Sequence, residues 1–294
     1  MSNARSEIQE SQSNLSQADK KVLDSSQGLQ IQVLFQKSQG NLLVQEEQIK
    51  KAIKSYTIAF HILTIYPYKT DFTKENQLLT DENIQSVYRG LINLIFQNIT
   101  ELKFRREVET SFTKYLYAQL EYFLKAKNWK SADIKTSELV FNITKKDEQG
   151  YMDYHNINSF SCPDLQKIDH LWVNADNRFG FGVQKEIWIK TGNRLGIKPE
   201  DWNNFYYKNY IQFAKAVGWY DEKRPKDNQT DTSRGSYVSH DELYNRIKYK
   251  SVPRGSLPIL FFSIAANDLN YDLRSLIFSH CDLQSVKHKD FRNL

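Results

Sequence analysis

The residues best suited to chemistry gather late in the chain. Between residues 223 and 254 there are eight Lys and Arg against four Asp and Glu, a local excess of four in a protein whose formal net charge is +5. That window ends in Lys248-Tyr249-Lys250-Ser251-Val252-Pro253-Arg254-Gly255-Ser256-Leu257-Pro258, and Phe213-Ala214-Lys215-Ala216-Val217-Gly218-Trp219-Tyr220 precedes it. Pro253 and Pro258 stiffen the end loop and Gly255 lets it turn. An apolar body carrying fixed cations suits a flat apolar ligand with carboxylates at its edge, because a guanidinium pairs with a carboxylate through a charge-assisted fork. An ordinary solvated loop accounts for the same spacing equally well. Nucleic acid is a poor third reading, since cations diluted by carboxylates make a thin footprint, and no nucleic-acid partner is expected.

Other candidate groups carry weaker signals. Arg178-Phe179-Gly180-Phe181 alternates rings with glycine, so the backbone can bend closely. Two rings plugging the core is the favoured reading, and one ring lining a groove is the other. His155 and His170 lie near Asp153, Asp164 and Asp169 without metal-ligand spacing, so no metal site is expected. Cys162 and Cys281 lack any motif and read as incidental thiols. Two cysteines make no disulfide framework and point to a reducing compartment. His280 and His288 read as surface residues. The sequence has no Gly-x-Gly-x-x-Gly, no Walker-type loop, no His-Glu-x-x-His and no Cys-x-x-Cys, and no catalytic residue is assigned.

The elements that must position these groups read as helices. In residues 29–128 the only glycines are Gly40 and Gly90 and the only proline is Pro67. Ile49, Ala52, Ile53, Tyr56, Ala59, Phe60 and Leu63 form one helical stripe, and Ile84, Val87, Leu91, Leu94 and Ile95 form a second behind the start Thr80-Asp81-Glu82. Phe112, Tyr115, Leu116, Ala118, Leu120, Phe123 and Leu124 form a third. Beyond Asn128 lie all five tryptophans and eight of the eleven glycines. Helices there are expected to start at Ser161-Cys162-Pro163-Asp164 and at the capping box Ser239-His240-Asp241-Glu242. Leu273, Leu276, Ile277 and Phe278 suggest a last helix. Residues 1–27 are too polar to bury much surface and read as a flexible tail, not as a signal or transit peptide. The longest apolar run, residues 258–266, falls short of the roughly 20 residues of a membrane span, leaving at most peripheral association.

Several blocks, in order, resemble the Genomes-Uncoupled-Four porphyrin-binding domain family over residues 120–258. They are Asn128-Trp129-Lys130-x-Ala132-Asp133-x-x-Thr136, then Cys162-x-x-Leu165-x-x-Ile168-Asp169-x-Leu171-Trp172-Val173. Asn177-Arg178-Phe179-Gly180-Phe181-x-Val183-Gln184-Lys185-x-x-Trp188 follows, and Val217-Gly218-Trp219 and Val252-Pro253-Arg254-Gly255-x-Leu257-Pro258 close the series. The resemblance implies an all-α fold, with an N-terminal helical bundle (28–115), a cupped-hand porphyrin-binding domain (116–260) and a C-terminal extension (261–294).

It also implies a non-catalytic regulator that binds protoporphyrin IX and Mg-protoporphyrin IX. Such proteins act with the large porphyrin-binding H subunit of magnesium chelatase in chlorophyll biosynthesis. Arg254 is the expected partner of a propionate, with Lys250 second. Trp219 and Leu257 are expected to give apolar contact, with Phe160 and Phe181 on the opposing loop and palm. Family members often carry an Arg three residues before Arg254, where this chain has Ser251, and residues 223–237 are longer than the usual turn. A helical protein-interaction module that has lost the ligand is the alternative. The pathway, the lack of a visible transit peptide and the abundance of Lys, Asn, Ile, Phe and Tyr suggest a plastid-encoded stromal protein or a cyanobacterial cytoplasmic one.

Overall fold

The computed structural model describes residues 2–17, 25–65, 78–97, 102–144, 157–198, 201, 204–223, 235–248, 252–259, 274–281 and 283. Helices dominate them: α1 (Ser2–Gln17), α2 (Ser26–Gln45), α3 (Ile49–Ile65), α4 (Asp81–Gln97), α5 (Leu102–Lys125), α6 (Trp129–Thr144), α7 (Cys162–Ala175), α8 (Phe181–Lys190), α9 (Asn204–Ala216), α10 (His240–Lys248) and α11 (Arg274–His280). The described sheet is one antiparallel pair, β1 (Tyr220–Asp221) with β2 (Ser236–Tyr237), in which Tyr220 faces Tyr237. The fold is all-α. Two compact units divide it, Met1–Tyr115 and Leu116–Leu294, and the boundary falls inside α5.

In the first unit the stripes become core. Ala52, Tyr56, Ala59, Phe60 and Leu63 of α3 are buried, as are Ile84, Val87, Leu91, Leu94 and Ile95 of α4. The Tyr56 ring is wedged between two helices at their glycines. A Cβ on Gly40 would lie 2.7 Å from Tyr56 Cε2, and one on Gly90 would lie 2.8 Å from Cε1. Aromatic contacts extend the core, with Phe60 meeting Tyr88 edge-on at 5.9 Å between centroids and Tyr88 stacking on Phe112 at 5.0 Å. The α4 start is as expected, with Thr80 Oγ1 accepting from Asn83 N at 3.2 Å. The segment read as a flexible tail differs. Residues 2–17 contain neither Gly nor Pro, and they form α1.

The second unit is built around two aromatic clusters. Trp172, whose indole N–H donates to Thr136 Oγ1 at 2.9 Å, stacks on Trp129 at 6.2 Å, and Phe179 meets both rings edge-on. This joins α6, α7 and the turn into α8. Trp188 of α8 meets Phe213 of α9 at 5.1 Å and Phe278 of α11 at 5.8 Å. The expected last helix is thus present as α11, with Leu276, Ile277 and Phe278 buried. Both predicted caps form, since Ser161 accepts from Asp164 N at the head of α7 and Ser239 accepts from Glu242 N at the head of α10.

Candidate functional site

The loop 252–259 carries Arg254, and most of its backbone is fastened to buried groups. Gly255 takes φ 82°, and a Cβ there would fall 2.6 Å from Ile187 Cδ1 on α8, so only glycine fits. Gly255 N donates to Arg178 O at 2.7 Å, and Gly180 N donates to Leu257 O at 2.9 Å. The turn Arg178-Phe179-Gly180 is therefore the loop's hydrogen-bonding partner. Its Phe179 and Phe181 rings are both buried, as the core-plug reading expects.

Side chains complete the fastening. Gln184 of α8, fully buried, donates from Nε2 to Gly255 O at 3.0 Å and Pro258 O at 2.7 Å. Asp133 of α6, also fully buried, accepts from Ile259 N at 2.9 Å and from the Tyr244 hydroxyl of α10 at 2.7 Å. Burial and the Asp133 charge both push the Tyr244 hydroxyl pKa up, so it stays a donor. Trp219 donates its indole N–H to Ser256 O at 2.8 Å, and Ser256 Oγ bonds the Val217 and Pro253 carbonyls. Arg274 of α11 lies over the Trp219 ring at 4.4 Å and donates to Ile259 O. An irregular segment this close to the core would otherwise leave backbone groups unpaired, at about 1–3 kcal/mol each.

Asp169 plays the matching part at the head of α8. The N-cap of that helix is Gly180, which has no side chain to offer, and Asp169 Oδ1 from α7 accepts from Gly182 N at 3.0 Å instead. Burial raises the Asp169 pKa, against which the backbone hydrogen bonds from Gly182 and Phe181 pull it down.

Arg254 itself points outward. Its side chain is 43 % exposed, and Nη2 sits 2.7 Å from Glu186 Oε2 on α8. Glu186 Oε1 also binds Lys190 Nζ at 2.5 Å. Hydrogen bonds from Arg254 and then Lys190 hold the Glu186 carboxyl down to about 2. Ile189, between these polar residues on the same helix, is 52 % exposed. The site thus already contains a carboxylate gripped by a guanidinium beside an exposed apolar group.

The structure separates the expected site residues. Leu257, Phe181 and Phe160 are core, and Trp219 keeps 7 % of its surface beneath the loop. Lys250, Ser251, His155 and residues 224–234 of the long turn lie outside the described residues. Glu186, Gln184 and Asp133 were not singled out by sequence reasoning. The Glu186–Lys190 spacing of i, i+4 is a recognisable ion-pair signal. Gln184, Asp133 and Asp169 all lie within the blocks that carry the family resemblance.

The cysteines are a correction. They are not incidental thiols: Cys162 and Cys281 are joined as a disulfide with a Cα–Cα distance of 5.4 Å. Residues 119 apart in sequence meet because α11 folds back beside the start of α7. His280 is half-buried, with Nε2 2.7 Å from Phe160 O, and so is not the free surface residue expected.

Fold and site together define an all-helical protein whose second unit braces a cation-bearing loop against its core. Residues 110–262, more than half of the chain, match the family described as GUN4-like, and the chain belongs to that family. It is 32% identical over 150 residues to the "Tetrapyrrole-binding protein, chloroplastic" of Arabidopsis thaliana, which covers 50% of this chain and 49% of the relative. The chain spans about half the length of that relative. No solved structure matches. Among the described residues no helix is long and apolar enough to cross a membrane.

Proposed function

We propose that the chain binds a tetrapyrrole at the braced loop, taking protoporphyrin IX and Mg-protoporphyrin IX, with Arg254 pairing a propionate. The observation that carries this is the Arg254–Glu186 ion pair, in which a carboxylate already occupies an exposed guanidinium on a fixed loop. A propionate arriving there exchanges one carboxylate partner for another, which keeps the desolvation cost low. Ile189 offers exposed apolar surface for the ring face, while Trp219, Leu257, Phe181 and Phe160 are buried in the core of the same unit. Lys250 is the second cation. The chloroplast relative, named for tetrapyrrole binding, supports the same reading.

In this reading the protein is a regulator without catalytic residues of its own. It delivers or senses porphyrin for magnesium chelatase through the H subunit in chlorophyll biosynthesis, in the plastid stroma or a cyanobacterial cytoplasm. The N-terminal bundle, residues 28–115, serves as a separate helical module within the first unit. Titration of the full chain with a soluble porphyrin is expected to quench tryptophan fluorescence. Arg254→Ala is expected to weaken binding by about 10- to 100-fold, the loss of a hydrogen bond to a charged group. Absence of quenching at micromolar porphyrin overturns the binding site. A chelatase assay whose rate is unchanged by the chain overturns the regulatory role and leaves binding standing.

A further inference from the structure

The cluster formed by Cys162, His280 and Cys281 has no part in the loop chemistry above. Their ligand-type atoms, two sulfurs and one ring nitrogen, all lie within 4.8 Å of one another. They come from two separate places, the first residue of α7 and the end of α11. The geometry points to a soft-metal site that exists in the dithiol state: Cys162, Cys281 and His280 take one Zn2+-class ion when their disulfide is reduced.

Three features fit that assignment. Histidines that ligate metals characteristically hand their other ring nitrogen to a carbonyl, which fixes the tautomer and the ring plane. His280 Nε2 already has such a partner in Phe160 O at 2.7 Å, and because a carbonyl only accepts, the tautomer that makes this bond carries its proton on Nε2 and its lone pair on Nδ1. Cys162 opens a helix of 14 residues, where the aligned peptide dipoles favour a thiolate. Lys185 Nζ, donating to Cys281 O at 3.5 Å, adds a cation beside the same pair. Two thiolates and an imidazole are a familiar zinc set, with the fourth tetrahedral position left to solvent.

The chemistry balances simply. A dithiol reductant gives two electrons and two protons to the Cys162–Cys281 bond and becomes a disulfide itself. The ion then displaces both thiol protons, which are released to solvent. Oxidised or metal-loaded, the cluster ties α11 to the start of α7, so the C-terminal segment stays fastened under either redox condition. The inference stands apart from the porphyrin reading, because its three ligands, Cys162, His280 and Cys281, are not among the residues assigned to porphyrin.

The test uses the full chain, reduced with a phosphine and freed of reductant without air, then titrated with Co2+ and back-titrated with Zn2+. The chain has only 2 cysteines, so any thiolate-to-cobalt absorption must come from this pair. One Co2+ per chain is expected, displaced by Zn2+ and absent from the disulfide form. Cys162→Ser and Cys281→Ser should each remove the band. His280→Ala should weaken binding by more than ~10-fold, the effect that even an outer partner of a ligand produces. No thiolate band in the reduced wild-type chain overturns the site, whatever the variants do. One ion per two chains overturns it as well, by placing the sulfurs in different molecules, and an unweakened His280→Ala removes histidine from the set.

Discussion

In the first unit, burial falls mainly on helix faces, where Phe60, Tyr88 and Phe112 pack in series, and side-chain bonds such as Ser55 to Gln39 and Tyr115 to Asp81 link one helix to another. In the second unit some of the deepest positions are polar. Asp133, Gln184 and Ser256 are each fully buried, and each makes at least one hydrogen bond to the backbone of the loop 252–259. The difference follows from what each unit must hold. A helix satisfies its own backbone and needs only an apolar face, whereas an irregular loop pressed into a core needs a donor or acceptor for every peptide group. Placing a guanidinium in a fixed position on such a loop therefore takes a set of buried polar residues, where in the first unit Gln30, accepting from Leu79 N at 3.0 Å, is the comparable brace.

The largest test of this contrast is Asp133→Ala. It leaves the Ile259 amide and the Tyr244 hydroxyl without their acceptor, and a loss of about 2–5 kcal/mol in urea unfolding is expected. Asp133→Asn keeps one acceptor oxygen and should lose less. Porphyrin affinity should drop alongside stability in the alanine variant, because the loop loses a brace. A cost below ~1 kcal/mol would mean that the loop is held by its other braces, the backbone pairing with residues 178–180 and the bonds from Gln184, Trp219 and Arg274.

A next-smaller effect belongs to the first unit. Gly40→Ala or Gly90→Ala drives a methyl against the Tyr56 ring from one side or the other. Overpacking of this kind costs about 1–3 kcal/mol, partly offset by the better helix propensity of Ala. Calorimetry should show the loss, while porphyrin affinity of the folded chain stays at the wild-type value. A change in affinity from either substitution would break the division of labour between the units.

The same contrast explains how much the sequence disclosed. The helical stripes of α3 and α4 are periodic, so most of their burial follows from spacing, whereas in the α5 stripe Ala118 is exposed and the neighbouring Gln119 is buried instead; the Ser161 and Ser239 caps follow from local chemistry. Arg254 was legible as the cation of a stiff loop. Its partner Glu186 and the braces Gln184, Asp133 and Asp169 come from α8, α6 and α7, at separations that no local pattern encodes. Asp133 and Ile259, for example, are 126 residues apart. The disulfide was hidden for the same reason, since nothing near Cys162 in sequence announces that α11 returns to it.

The smallest expected effect is also the one most specific to the site. Glu186 has a folded-state pKa of about 2 against an ordinary value of 4.5, so its ion pairs with Arg254 and Lys190 contribute stability that is fully present above pH 4.5. That contribution is lost as the pH falls from 4.5 through about 2. Asp169, buried with a raised pKa, runs the opposite way: its contribution is complete below its ordinary 3.8 and fades as the pH rises through the raised value. Comparing wild type with Glu186→Gln cancels the Asp169 contribution and isolates the ion pair. The variant should lose under ~1 kcal/mol at neutral pH, since the pair is partly exposed, and its stability should fall less steeply on acidification. Glutamine also cannot compete for Arg254 as a carboxylate, so porphyrin should bind about 2- to 5-fold more tightly. An acid limb as steep as that of wild type would remove Glu186 as a source of the acid sensitivity. Unchanged porphyrin affinity would show that the ligand leaves the Arg254–Glu186 pair intact and is held elsewhere on the second unit.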